Sequence, residues 1–174
     1  MKNPSSFLLF TLLILFFGCS AAFKDIKVDA EANPAIDLTK YKTYMWGGSA
    51  ELVVDDQGKW VPPEMDVNAE LRYLINKELR KMGFTEVAEK PDMIIATAVG
   101  VHMDALKIKE DPDTKMKLLK NVPRSALVIT MIDALTDHPI WIGMATGDVR
   151  LKGDQERKMR LEYAVKEILE KFPH

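Results

Sequence analysis

The sequence holds one cysteine, Cys19, in 174 residues. A single thiol excludes an intramolecular disulfide framework and any cysteine-based zinc cluster. Histidine is also scarce, at His102, His138 and His174. Neither sign of charge dominates, since 24 Lys and Arg face 26 Asp and Glu for a net charge of -2. That balance argues against nucleic acid as a partner. No Ser stands in a G-x-S-x-G elbow, and there is no Gly-rich phosphate loop. No apolar run reaches the ~20 residues of a spanning helix. No cofactor, metal or catalytic constellation is expected, so the chain is read as a non-enzyme.

What the chain does have is a hydrophobic fraction of 47% and 29% charged residues. These values suit a globular fold. The length allows one domain at ~150 residues per domain.

The N-terminus reads as a targeting segment. Lys2 is followed by the apolar run Phe7–Phe17, broken only by Thr11. Eleven residues is the length of a signal-peptide h-region behind a short positive n-region. The run ends in Phe16-Phe17-Gly18-Cys19-Ser20. A small residue before a Cys resembles the lipobox of bacterial lipoproteins, although Phe16 stands where Leu is usual. On this reading cleavage falls between Gly18 and Cys19, and Cys19 carries a diacylglyceryl group and a palmitate-class acyl chain. Two or more chains give stable anchoring. An ordinary secretory signal cleaved after Ala21 or Ala22 is the alternative. That the only Cys falls at this spot favours the first. The expected organisation is a signal peptide over 1–18, a lipidated tether over 19–24 and one domain over 25–174. The expected location is the cell membrane or outer membrane, facing the periplasm or exterior.

Period-two alternation predicts a strand around Ile26, Val28 and Ala30. Aromatic and β-branched residues predict a second over Tyr41–Trp46, ended by Gly47-Gly48. Leu52–Val61 reads as a small hairpin or an irregular loop, closed by Pro62-Pro63. A helix is predicted over Asp66–Met82. Its apolar face carries Val67, Leu71, Leu74, Ile75, Leu79 and Met82, with Asp66 as cap and Gly83 as stop.

Strands follow at Met93–Met103, Ala126–Ala134 and Ile140–Leu151. Ala96, Ala98 and Gly100 share one face of the first. Small residues there would let a helix pack close, so that strand is expected to be central. Asp104–Asn121 reads as a charged surface excursion, with or without a short helix. Gly143 and Gly147 suggest bulges or close backbone approach. A closing helix spans Gln155–Phe172. The order ββ-α-βββ-α predicts a two-layer α+β domain, a mostly antiparallel sheet with both amphipathic helices on one face.

Four segments carry a family resemblance. They are Asp37 to Trp46; Ile75 to Gly83-Phe84 before Pro91-Asp92; Leu127 through Asp133-Ala134 to Trp141-Ile142-Gly143; and Leu161 to Phe172-Pro173. Their order and spacing resemble the bacterial lipoproteins of the domain of unknown function 4136 family. Asp137 stands where that family commonly has Gly, a substitution Asp tolerates in a left-handed turn. The resemblance implies an envelope lipoprotein with an α+β domain, and it implies no activity.

Few residues invite chemistry. His102 and Asp104 share a strand face, and His138 and Asp133 flank a turn, but a metal site needs three or four converging ligands. An envelope hydrolase using His102, His138 and Asp133 is the alternative to a non-catalytic binding or structural module. For Asp133, acceptance of turn N–H bonds is the plainer reading. Trp46 and Trp141 read as core, while Trp60, among polar residues and prolines, is the candidate contact. Arg157, Lys158 and Arg160 read as a solvated helix face. The expected partners are the membrane, through lipid on Cys19, and an envelope protein or wall component.

Overall fold

The computed structural model describes residues 23–110, 117–149 and 153–173. The expected signal peptide, the Gly18–Cys19 junction and His174 lie outside the described residues. Among the described residues there are eight strands and two α-helices. They are β1 (Lys27–Ala32), β2 (Thr43–Val54), α1 (Val67–Lys81), β3 (Thr85–Glu86), β4 (Met93–His102), β5 (Leu106–Glu110), β6 (Lys117–Asn121), β7 (Arg124–Asp133), β8 (Pro139–Asp148) and α2 (Asp154–Leu169). Six strands form one sheet in the order β1-β8-β7-β4-β2-β3, and β5 and β6 form a separate hairpin. The β1/β8, β8/β7 and β7/β4 pairs are antiparallel. The β4/β2 and β2/β3 pairs are parallel. The fold is α+β, with both helices on one face of a mostly antiparallel sheet.

Helix α1 is bounded as its sequence signals require. Asp66 accepts a hydrogen bond from the Ala69 N–H, satisfying one of the orphan donors of the first turn. Gly83 follows with φ +86°. The Gly83 N–H donates to the Arg80 carbonyl and the Phe84 N–H to the Leu79 carbonyl. This is the Schellman stop. Leu71, Leu74, Ile75 and Leu79 are buried, in one core with Ile95, Ile129 and Met131 of the sheet. From α2, Ala164, Val165, Ile168 and Leu169 join the same core.

Gly143 marks the closest approach. A Cβ there would lie 2.4 Å from Trp141 Cη2 and 2.5 Å from Ile168 Cγ2. The Trp141 ring is laid over the glycine, is 2% exposed and meets Phe172 edge-on at 5.4 Å.

Two expectations need correction, and two open readings are resolved. Gly47-Gly48 does not end β2. The strand passes through them with a register shift between Trp46 and Ser49 and runs on to Val54. A Cβ at Gly47 would sit 2.7 Å from Ile94 Cγ2, so the bulge needs glycine. Residues 55–65 are a loop and not the second arm of a hairpin. The 104–121 excursion holds the β5/β6 hairpin and no helix among its described residues. Finally, β4 is central, but its small residues do not face the helices. Met93, Ile95 and Val101 are buried on the helix side. Ala96, Ala98 and Gly100 lie on the opposite face with Val128, Ile142 and Met144, and that face is left open. Ile142 is 44% exposed there and Met144 41%.

Candidate functional site

An apolar cavity of about 160 Å³ lies between the sheet and the N-terminal halves of both helices. Its walls include Val99 and Val101 of β4, Leu127 of β7, Ala145 of β8, and Leu161 and Ala164 of α2. The space exists because two of these positions, Ala145 and Ala164, are small where helix meets sheet. A dry apolar cavity of this size holds a benzene-sized group.

The 55–65 loop covers its edge. The Asp55 carboxylate accepts from the Trp60 N–H. Asp154, in the first turn of α2, accepts from the Glu64 and Met65 N–H groups at 3.0 and 3.1 Å. Arg157 donates to the Val61 carbonyl at 3.1 Å and stacks its guanidinium 5.5 Å above the Trp60 ring. Trp60 is half-buried at the cavity rim, where it was expected to be exposed.

Of the charged groups lining the cavity, Glu51 is solvent-exposed, while Asp148, Arg157 and Arg160 are paired. Arg160 forks onto Asp25, with Nη1 on Oδ1 at 3.1 Å and Nη2 on Oδ2 at 2.5 Å. Arg160 also reaches the Asp148 carbonyl. Gly147 leaves room for this, since a Cβ there would lie 3.0 Å from Arg160 Nη2. Burial pushes the Asp25 carboxyl up, but hydrogen bonds from Arg160 and from the Asp148 N–H, with the guanidinium charge, outweigh it and hold it at about 2. Lys158 pairs with Glu70 at 3.0 Å. The basic stretch of α2 is thus a set of bridges, where a solvated face was expected.

The suspected catalytic residues are not gathered. β4 pairs Met93 with Asp133 at one end and His102 with Arg124 at the other. Nine residues at ~3.3 Å each separate those ends by about 30 Å. His102 is exposed at the cavity end of the sheet, on the open face. Asp104 accepts the Asp56 N–H. Asp133 and His138 share the β7/β8 turn at the far end, where the Asp133 N–H donates to the His138 carbonyl. The hydrolase alternative therefore has no constellation. Among the described residues, no group of three His, Cys, Asp or Glu is placed to hold a metal ion.

Asp133 has a structural task instead. It accepts from the Leu135 and Thr136 N–H groups and from the Thr136 hydroxyl. Its other oxygen accepts from the Tyr41 hydroxyl. The Tyr41 hydrogen bond, helped by the turn N–H groups, holds its carboxyl at about 2. Asp137 sits at φ 56° in this turn, the left-handed conformation its sequence position suggested. Beside it, Asp92 accepts from the Lys42 and Thr43 N–H groups and the Thr43 hydroxyl. Trp46 is only half-buried, a correction to its reading as core. Its Nε1 donates to Asn76 Oδ1 at 3.0 Å, and Arg72 lies 5.6 Å above its ring.

The residues that build this far end are those with family-like spacing. The model of the domain of unknown function DUF4136 matches residues 28–174. The chain belongs to the DUF4136 family. A DUF4136 family protein from Bacteroides thetaiotaomicron shares 11% identity at a TM-score of 0.55, covering 84% of this chain and 95% of its own. A PDZ domain protein from Parabacteroides distasonis shares 13% identity at a TM-score of 0.53, covering 86% of this chain. This DUF4136 chain spans only 36% of that protein's length. At such identities the likeness is one of fold. No curated protein matches the sequence. Among the described residues of this DUF4136 domain, no helix is long and apolar enough to cross a membrane.

Cys19 could be singled out from sequence because targeting motifs are local. The cavity could not, because its walls come from four strands, two helices and a loop whose registers meet only in the fold.

Proposed function

We propose that this DUF4136 protein is a lipid-anchored envelope protein, held by acyl chains on Cys19, whose domain binds an apolar ligand without a chemical step. The cavity beneath Trp60 is the observation that carries the reading. It is mostly apolar, its two lining arginines are already paired, and its rim presents a Trp held by Arg157. Apolar pockets with few polar groups are the usual form of small-ligand sites. The Gly18-Cys19 junction behind an h-region supports the anchor.

Thermal melts of the full chain with toluene test the site. A ligand that binds only the native state raises the midpoint by mass action. The midpoint is expected to rise in wild type and to stay fixed in Ala145→Leu, which fills the cavity. A wild-type midpoint that ignores toluene removes the binding-site reading.

A further inference from the structure

We infer that the cavity seats the end of a lipid acyl chain, which the chain's own N-terminus places within reach. The inference rests on the anchor and apolar-site reading above and names the ligand class.

Three observations carry it. The first is the wall chemistry. Val99, Val101, Leu127, Leu161 and the two alanines carry no charge, Arg160 is occupied by Asp25 and Arg157 by Asp154 and the Val61 carbonyl, and Glu51 of the lining is turned to solvent, where it repels an anionic headgroup. A charged headgroup therefore stays outside, and an uncharged tail enters. An unfilled apolar cavity forfeits dispersion contacts, which methylenes recover.

The second is volume. About 160 Å³ takes the end of a chain and not its whole length. The remaining methylenes must leave past the rim, where the Trp60 ring supplies an apolar surface.

The third is position. Phe23 stacks on Tyr163 with ring centroids 4.6 Å apart, and Ile26 lines the cavity. Arg157, Arg160 and Tyr163 follow at three-residue spacing along α2, about 9 Å in all. The tether therefore joins the domain close to the cavity rim. Cys19 lies four residues before Phe23, so its Cα is at most ~14 Å from the Phe23 Cα. A bilayer surface holding Cys19 is the nearest source of acyl chains.

Two sources share this chemistry: the anchor on Cys19 itself, and a separate membrane lipid. Cells expressing the full chain are grown on palmitate bearing a photoactivatable diazirine and irradiated. The protein is then digested and its adducts are mapped by mass. Adducts are expected on the cavity wall, in the peptides holding Leu127 and Leu161, and are expected to disappear in Ala145→Leu. Should that variant fail to fold, Ala164→Met fills the same space from the helix.

A wall peptide joined to the Cys19 peptide identifies the anchor as occupant. A wall peptide with the mass of a phospholipid identifies a separate lipid. Adducts confined to Phe23 and the outer surface, or wall adducts that persist in a folded cavity-filling variant, overturn the inference. The two readings fail separately. Label on Cys19 with none on the wall leaves the anchor standing and removes the acyl seat. Toluene binding without wall adducts leaves an apolar site that is not for lipid.

Discussion

The Tyr41 hydroxyl donates to Asp133 Oδ2 at 2.5 Å across 92 residues of sequence. This one bond ties the start of β2 to the turn between β7 and β8. Burial, with Asp133 beside it, pushes the Tyr41 phenol up to about 12. A raised phenol pKa favours the neutral form in the fold. Its contribution is complete below the ordinary value of 10.0 and is lost as pH rises through about 12. Tyr41→Phe is expected to lower the melting temperature at neutral pH, and the gap from wild type is expected to narrow above pH 10. Melts across that range check it. A Tyr41→Phe protein as stable as wild type at pH 7 would show that the bond adds nothing net.

The acid side runs in the opposite sense. Asp25 and Asp133 each sit at about 2, below the ordinary 3.8. Depressed carboxyls stabilise fully above the unfolded value and lose that contribution as pH falls through the folded one. The domain is expected to lose stability mainly between pH 4 and pH 2. Asp25→Asn is expected to be less stable than wild type at pH 7 and to converge with it near pH 2. Denaturant midpoints at a series of pH values measure this, and parallel curves would rule it out.

Gly143→Ala is expected to destabilise strongly. The new methyl meets both Trp141 and Ile168 at distances that real Cβ atoms essentially never show. Overpacking of this kind costs about 1 to 3 kcal/mol. Trp141→Ala should cost more, about 3 to 5 kcal/mol, because a buried ring is removed. Urea unfolding with matched slopes reads both. Gly143→Ala within experimental error of wild type would mean that the ring has another place to go.

Cys19→Ser is expected to move the protein from the membrane fraction to the soluble one. Without acyl chains, only the short apolar run before Gly18 remains to hold it. Fractionation of expressing cells decides, and a variant that stays as membrane-bound as wild type places the anchor elsewhere.

What could be read in advance follows the range of each signal. The ends of α1, the left-handed Asp137 and the burial of Trp141 depend on residues within a turn or two, and all three were legible. The continuation of β2 through Gly47-Gly48 was hidden, because a double glycine usually breaks a strand and here makes a bulge against Ile94. The parallel β2/β4 pairing, the Arg160–Asp25 bridge and the separation of His102 from His138 all depend on sheet register. Local pattern does not contain register across distant strands. The small face of β4 was seen but assigned to the wrong side, since a strand's alternation says that two faces differ and not which one meets the helices.

The β1/β8 pairing sets an order in time. β1 is an edge strand, and among the described residues its only sheet neighbour is β8. Lys27 finds its partner at Thr146, and the Asp25 bridge waits for Arg160. A chain emerging N-terminus first therefore carries its first strand unpaired until nearly all of the rest has followed. The α1 and β2/β4 contacts lie nearer in sequence, and contacts of such long separation as β1/β8 are slow to form.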